Sequence, residues 1–288
     1  MVSSLNKSSE EISSYIGELN NRVFSISELN EMLEANREEW SLVKSVGFAK
    51  FVEMLQNRKA LEKIELAFPH KKVIRYIKSQ ASPYELAISV DENAYLSHHT
   101  AVYLHGLTDA EPKNIFLNSE QSPKRFKDSK LLQENINRAF KNPPRITTNK
   151  ATFNEYTIWH LNGKNTGCYG AIEVKNGDFT LVITDIERTL VDIAVRPQYS
   201  GGVFDVLKAY KLAKDKFSVV KLYETLKRLD YIYPYHQILG FYLEKAGIEN
   251  RLLKPFIEDG LEFDFYLDHQ IEDMAYSDRW RLYYPKGL

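Results

Sequence analysis

Three groups of residues in this chain have types and spacings that could do chemistry. The first is Glu173-Val174-Lys175, a Glu-x-Lys triplet, with Glu155 upstream on a strand-like run from Thr152 to Leu161. Two carboxylates can hold Mg²⁺ while a lysine steers a water, the chemistry of a restriction-like nuclease. The context favours a structural role instead. Asn176-Gly177 comes directly after and reads as the tight turn of a hairpin joining 171–175 to 178–183. Alternation then buries Ile172 and Val174 and leaves Glu173 and Lys175 as surface charges. The second group, His98, His99 and His105, is a weak metal site. Adjacent histidines on a helix diverge by about 100°, and no acid stands at i+3 or i+4 to complete a ligand set. The third group is Gln56-Asn57-Arg58, with Lys50 and Lys59 on either side. Gln, Asn and Arg are the side chains that make paired hydrogen bonds to base edges in a major groove.

Other chemistry is thinly represented. The lone Cys168 excludes an intramolecular disulfide and a cysteine-only zinc site, which suits a reducing compartment. No Ser/His/Asp order and no glycine-rich nucleotide fingerprint is evident, so the expectation is a protein that is not an enzyme and uses no cofactor or metal. The serine-rich start lacks a basic flank and an apolar run, and no later segment is apolar over a membrane-spanning length. The expected location is cytoplasmic.

The elements that must carry the third group announce themselves by period and punctuation. Ile12, Tyr15, Ile16 and Leu19 line one face of a helix. Ser25 and Glu28 form a capping box for a second helix running to about Trp40. A third, from Phe48 to about Leu61, turns Phe48, Phe51, Val52 and Leu55 inward and leaves Lys50, Glu53, Gln56, Asn57 and Arg58 outside. Two strand-like runs, 64–68 and 73–77, flank the basic turn Pro69-His70-Lys71-Lys72. Three helices and then a basic hairpin are the parts of a winged helix-turn-helix in order. Lys71, Lys72 and Arg75 would then touch phosphates, which positions a protein on DNA without specifying sequence.

Charge is segregated along the chain although the total is only −1. Residues 44–80 hold nine Lys or Arg against three Glu, and residues 113–150 hold nine bases against three acids. The second segment includes a possible further basic patch at Lys124, Arg125, Lys127, Lys130 and Arg138. Residues 249–280 reverse the balance, with nine acids against three bases. Such a distribution suits more than one binding surface, one of them for nucleic acid.

After Ala81-Ser82-Pro83, a linker-like break, a helix starts near Ser97 and stops at Gly106. Here Ser97, Ala101, Leu104, His105, Gly106 and Leu107 fall in register with an S-x-x-x-A-x-x-L-H-G-L stretch. Some eighty residues on, Glu187-Arg188-Thr189-Leu190 and Asp192 form an E-R-T-L-x-D helix, with Arg196-Pro197 and Gly201-Gly202 after it. In this pair of motifs the chain resembles the AbiEi antitoxins of type IV toxin–antitoxin systems. The same residues also have plain structural readings. Thr184 and Glu187 make a capping box, Arg188 and Asp192 an i,i+4 ion pair worth only tenths of a kcal/mol, and Gly201-Gly202 a tight turn.

The fold expected is α+β, with a winged helix-turn-helix over residues 1–82 and a mixed α/β antitoxin-like domain over residues 83–288. The resemblance implies an antitoxin of an abortive-infection, phage-defence pair. It would repress its own operon through inverted repeats in double-stranded DNA. It would counteract a nucleotidyltransferase-like toxin without needing a stable complex with it. The rival readings are a Mg-dependent nuclease built on Glu155, Glu173 and Lys175, and a protein-interaction module that binds no DNA.

Overall fold

The computed structural model describes residues 2–123 and 130–288, with side chains from residue 8 onward. Its first six elements are α1 (Val2–Glu18), β1 (Val23–Phe24), α2 (Ile26–Ala35), α3 (Phe48–Asn57), β2 (Glu62–Ala67) and β3 (Lys72–Ile77). The strands form an antiparallel sheet of order β1-β3-β2, with Glu62 opposite Ile77 and Ala67 opposite Lys72. Ile12, Ile16, Leu29, Leu33, Phe51 and Leu55 close the helices over a common core.

Two helices are shorter than periodicity suggests. α2 keeps its Ser25–Glu28 capping box but ends at Ala35. The chain then winds through turns so that Trp40, only 2% exposed, can stack on Phe51 at 5.9 Å. Arg37 holds those turns by donating to the carbonyls of Val43 and Val46. α3 stops at Asn57 because Lys59 takes a left-handed conformation, φ 57°.

In the β2–β3 hairpin β3 is covered on both faces, whereas β2 buries only the face of Ile64 and Leu66. Ile74 and Tyr76 pack toward the helices. Ile64, Leu66, Val73 and Ile77 share a second core with Leu96, Ile115, Ile158 and Ile183, residues far along the chain. Each such burial stabilises by about 1.5–3 kcal/mol, so the hairpin fastens the first six elements to the six-stranded sheet that these distant residues build. The linker-like 81–83 is itself ordered structure. Ser82 caps α4 (Pro83–Ile88) in a second capping box with Glu85, and Pro83 sits in the first turn, where its missing N–H costs nothing.

Next come β4 (Tyr95–Leu96), α5 (His98–Leu104), β5 (Asn114–Glu120), α6 (Gln133–Lys141), β6 (Lys150–Phe153), β7 (Tyr156–Gly163), β8 (Ala171–Asn176) and β9 (Phe179–Thr184). Their strands make a mixed six-stranded sheet of order β6-β7-β5-β4-β9-β8, with β5 parallel to β7 and β4 parallel to β9. The β8–β9 hairpin forms with Val174 opposite Leu181, and Glu173 and Lys175 are exposed. Ile172 departs from expectation at 41% exposure, because β8 is an edge strand with no neighbour beyond it.

The chain finishes with α7 (Ile186–Val195), a 3₁₀ turn at Pro197–Tyr199, α8 (Val203–Ala213), α9 (Val219–Leu229), α10 (Tyr235–Lys245) and α11 (Asn250–Glu258). A small sheet of β10 (Phe265–Tyr266), β11 (Met274–Ser277) and β12 (Leu282–Pro285) closes it. Apolar residues alternate with polar ones over residues 261–267, as in a half-buried strand, but only Phe265–Tyr266 is strand. Leu190, Tyr210, Leu239, Tyr242, Phe256 and Trp280 centre the largest core. Trp280 lies so close to α10 that a Cβ on Gly240 would sit 2.1 Å from its ring. The architecture is α+β, a helical N-terminal region joined to several sheets and a helical layer. Among the described residues no helix is long and apolar enough to cross a membrane.

Candidate functional site

The amphipathic sequence of α3 produces a clear division of faces. Phe51, Val52, Met54 and Leu55 are buried, and Ala49, Lys50, Glu53, Gln56 and Asn57 are exposed. Steps of three and four residues put the exposed set on one stripe. Arg58 and Lys59 are exposed just beyond the helix, but Arg58 donates from Nη2 to Ser9 Oγ at 2.6 Å and is thereby tied to α1.

The hairpin cations are less available than their sequence implies. Lys72 pairs with Glu65 across the strands at 2.7 Å, and that hydrogen bond raises the lysine pKa and lowers the carboxyl's. Lys71 is exposed, 5.8 Å from the Phe68 ring, and Phe68 meets His160 of β7 edge-on at 6.0 Å. The basic tip therefore leans on the six-stranded sheet. Arg75, expected on phosphate, instead points into the joint between the hairpin and α4. Its Nε donates to the Ser89 carbonyl at 3.1 Å and its Nη2 to the same oxygen, satisfying the end of α4. Burial lowers its pKa. The cause is register: Arg75 shares a strand face with Val73 and Ile77, which bury against the second core.

Of the second basic patch, Lys124, Arg125 and Lys127 lie outside the described residues. Lys130 and Arg138 are exposed, and Arg138 donates to Asn135 on its own helix at 3.1 Å.

The motif residues of the two family-like segments converge from distant parts of the chain. Asp185, not Thr184, caps α7 by accepting from the Arg188 N–H at 2.8 Å. Thr184 bonds Thr189 instead, hydroxyl to hydroxyl, at 2.8 Å. His105 Nε2 meets the Thr184 carbonyl at 2.7 Å, joining α5 to the end of β9. Glu187 accepts from the Ser218 N–H at 3.0 Å and pairs with Lys221 at 2.9 Å, joining α7 to the start of α9. Gly106, Gly201 and Gly202 all have positive φ, and a Cβ on Gly201 would fall 2.3 Å from the Asp205 carboxylate. These residues act as fasteners.

Arg188 and Asp192 differ. Their side chains are each 6% exposed and bond Nε to Oδ1 at 2.8 Å, so the pair is a buried one and not the surface pair its spacing suggested. Arg188 also donates from Nη1 to the Tyr169 carbonyl at 2.9 Å and to Thr166 Oγ1 at 3.3 Å. Thr166 and Cys168 donate their N–H groups to Glu120, and Tyr95 donates its hydroxyl to the same carboxylate at 3.0 Å. Burial pulls the Glu120 pKa up, but these donors bring it below the ordinary range. Asn118 completes the chain by donating to Tyr95 Oη at 2.7 Å. Burial raises the Asp192 pKa against the pull of Arg188.

This network floors a cleft of about 740 Å³ between the sheet and the helical layer, lined by His98, Asn118, Arg188, Asp192, Tyr199 and Tyr231 among others. His98 starts α5 with φ 51°, a conformation that costs a non-glycine residue about 1–3 kcal/mol and often accompanies functional sites. It is 8% exposed, and burial, with Arg196 and Arg188 nearby, pushes its pKa down to about 3. Ser97 Oγ holds its Nδ1 at 2.8 Å. Sequence reasoning placed Ser97, Arg188 and Asp192 without finding the cleft. The available signal was the run Tyr231-Ile232-Tyr233-Pro234-Tyr235, whose three tyrosines all line it.

The nuclease trio does not assemble. Glu155 occupies the turn between β6 and β7 and pairs with Lys113 at 2.8 Å. Glu173 is on β8 at the opposite edge of the sheet, four strand spacings from β7, or about 19 Å. One metal ion cannot bridge that distance. Among the described residues no cluster of three His, Cys, Asp or Glu side chains could hold a metal.

No protein-family model matches the sequence, and no curated protein matches it. The crystal structure of the RV2827C protein from Mycobacterium tuberculosis is similar, with a TM-score of 0.61, at 15% sequence identity, over 96% of this chain and 91% of that one. The two share a fold. The likeness spans both the N-terminal helices with their hairpin and the sheet and helical layers beyond them, so the whole arrangement recurs and not one part of it.

Proposed function

We propose that this chain is a DNA-binding regulator whose first six elements act as a winged helix-turn-helix, and that it is the antitoxin of a type IV toxin–antitoxin pair. The observation that carries the DNA-binding half is the exposed stripe of α3, where Lys50, Gln56 and Asn57 stand together on a helix whose other face is fully packed. The order helix, strand, helix, helix, hairpin with a β1-β3-β2 sheet supports it. In this reading α3 enters the major groove, Lys50, Gln56 and Asn57 read base edges, and Lys59 and Lys71 touch phosphates. Arg58 and Arg75 act within the protein, and Lys72 is shared with Glu65.

The antitoxin half is supported by the two motif segments and by the way their residues fasten α5, α7 and α9 around one cleft. The partner would be a nucleotidyltransferase-like toxin. A gel shift with the upstream region of the gene tests the first half. The intact chain shifts that fragment over unrelated DNA, and the Lys50→Ala/Gln56→Ala/Asn57→Ala variant loses the preference. An unaltered shift by that variant would remove α3 from the interface. Co-expression with an adjacent nucleotidyltransferase-like gene tests the second half, with restored growth expected and continued toxicity contradicting it.

A further inference from the structure

Above the Arg188–Asp192 floor, the walls of the central cleft carry a chemistry that DNA binding and the motif fasteners leave unused. Tyr231, Tyr233 and Tyr235 line one side, with Tyr231 and Tyr235 edge-to-face at 5.3 Å. Among the described residues none of their three hydroxyls has a hydrogen-bond partner. Burial raises the pKa of Tyr231 and pushes that of Tyr235 up to about 12, so both phenols stay protonated and able to donate. Asn162 and Gln121 line the cleft as well. His98, more than nine-tenths buried, uses Nδ1 on Ser97 and leaves Nε2 with no partner among the described residues.

Charge on the lining is unbalanced. Arg188 is neutralised by Asp192 at 2.8 Å, and Lys164 is drawn to Asp230 at 3.7 Å and to the Leu229 carbonyl at 2.9 Å. Arg145 and Arg196 have no acidic partner among the described residues. Both are exposed, and Arg196 Nη1 donates to the Arg145 carbonyl at 3.1 Å, which brings the Arg196 guanidinium against the Arg145 backbone. Two guanidinium groups without an acidic partner on the lining of an aromatic cleft suit a phosphate, which arginine grips in paired hydrogen bonds. Tyrosine faces accept a planar base by stacking, and side-chain amides can pair with its edge. The volume of about 740 Å³ falls within the range of small-molecule sites.

We infer that the cleft binds a nucleoside phosphate, its phosphate on Arg145 and Arg196 and its base against the Tyr231, Tyr233 and Tyr235 wall. The ligand is either a free mononucleotide or the 5′-phosphorylated end of a single strand, which present the same groups. The inference is independent of DNA binding through α3, since the two surfaces share no residue.

Isothermal titration of the full chain with the four ribonucleoside 5′-monophosphates, their nucleosides, inorganic phosphate and 5′-phosphorylated trinucleotides tests it. At least one nucleotide should bind saturably with one site, at least tenfold tighter than its nucleoside or inorganic phosphate. Tighter binding of the trinucleotide would identify a strand end as the ligand, and tighter binding of the monophosphate a free nucleotide. The Arg145→Ala/Arg196→Ala variant, altered only at exposed positions, should keep its melting temperature and lose tenfold or more in affinity. Absence of saturable binding at millimolar concentration, binding unchanged in that variant, or inorganic phosphate binding as tightly as any nucleotide would each overturn it.

Discussion

The exposed stripe of α3 and the floor of the central cleft both present charged and amide side chains, but they hold them by opposite physics. On α3 the groups stand in water, supported only by the packed face beneath, and folding does not depend on them. In the cleft Arg188 and Asp192 are each 6% exposed and belong to a continuous chain of hydrogen bonds through Thr166, Glu120, Tyr95 and Asn118. A surface of the first kind can change its residues without consequence for stability. A site of the second kind cannot, because removing one partner leaves a buried charge uncompensated.

The largest test of that contrast is Asp192→Leu or Arg188→Met alone, each expected to cost about 3–5 kcal/mol by chemical denaturation. The double replacement should recover most of the loss, because no charge then remains unpaired. Equal stability of the single variants and the parent would mean that the pair is solvated. A smaller effect is expected at Gly163, where a Cβ would lie 2.6 Å from Asn118 Oδ1. Gly163→Ala should displace Asn118 from Tyr95 and cost about 1–3 kcal/mol, a typical penalty for overpacking, read as a lower thermal midpoint.

Acid should separate the regions too. Burial lowers the pKa of His98, His99, His105, His160 and His236 from the unfolded value of 6.5, and none of them lies in the first six elements. Each takes up its proton at a lower pH in the folded chain than in the unfolded one, so below pH 6.5 the unfolded chain binds more protons. The stability they contribute is complete above that pH and falls as pH drops toward the folded values, by up to about 1.4 kcal/mol per pH unit for each proton. Urea midpoints should therefore be lower at pH 5 than at pH 7, and a flat profile would contradict burial of these rings. The smallest stability effect is expected on α3, where Lys50→Ala, Gln56→Ala and Asn57→Ala should each stay within about 0.5 kcal/mol of the parent.

The same contrast explains what could be read from the sequence. The face of α3 was legible because an amphipathic helix encodes inside and outside locally, in steps of three and four. The capping box at Ser25 and the two-strand hairpin were legible for the same reason. Arg75 was misplaced because its surroundings come from α4, which the residues 81–83 disguised as a linker. The cleft was hidden because its parts come from β5, β7, α7 and the segment before α10, brought together only by the order of strands in the sheet. Arg188 and Asp192 showed their spacing but not their burial, and burial decides whether such a pair matters by tenths or by several kcal/mol.

The central claim is that α3 carries the protein to DNA, and the salt dependence of binding to the upstream region of its own gene tests it most directly. Affinity measured between about 50 and 200 mM salt should fall linearly on logarithmic axes, since each phosphate contact releases a counterion, and Lys59→Ala, which removes a phosphate contact, should flatten that slope by about one unit. Lys50→Ala, which removes a base contact, should instead lose preference for the upstream region at a similar slope. Binding that is absent at the lowest salt, or that shows the same slope and the same preference in the Lys50→Ala/Gln56→Ala/Asn57→Ala variant, would contradict the account.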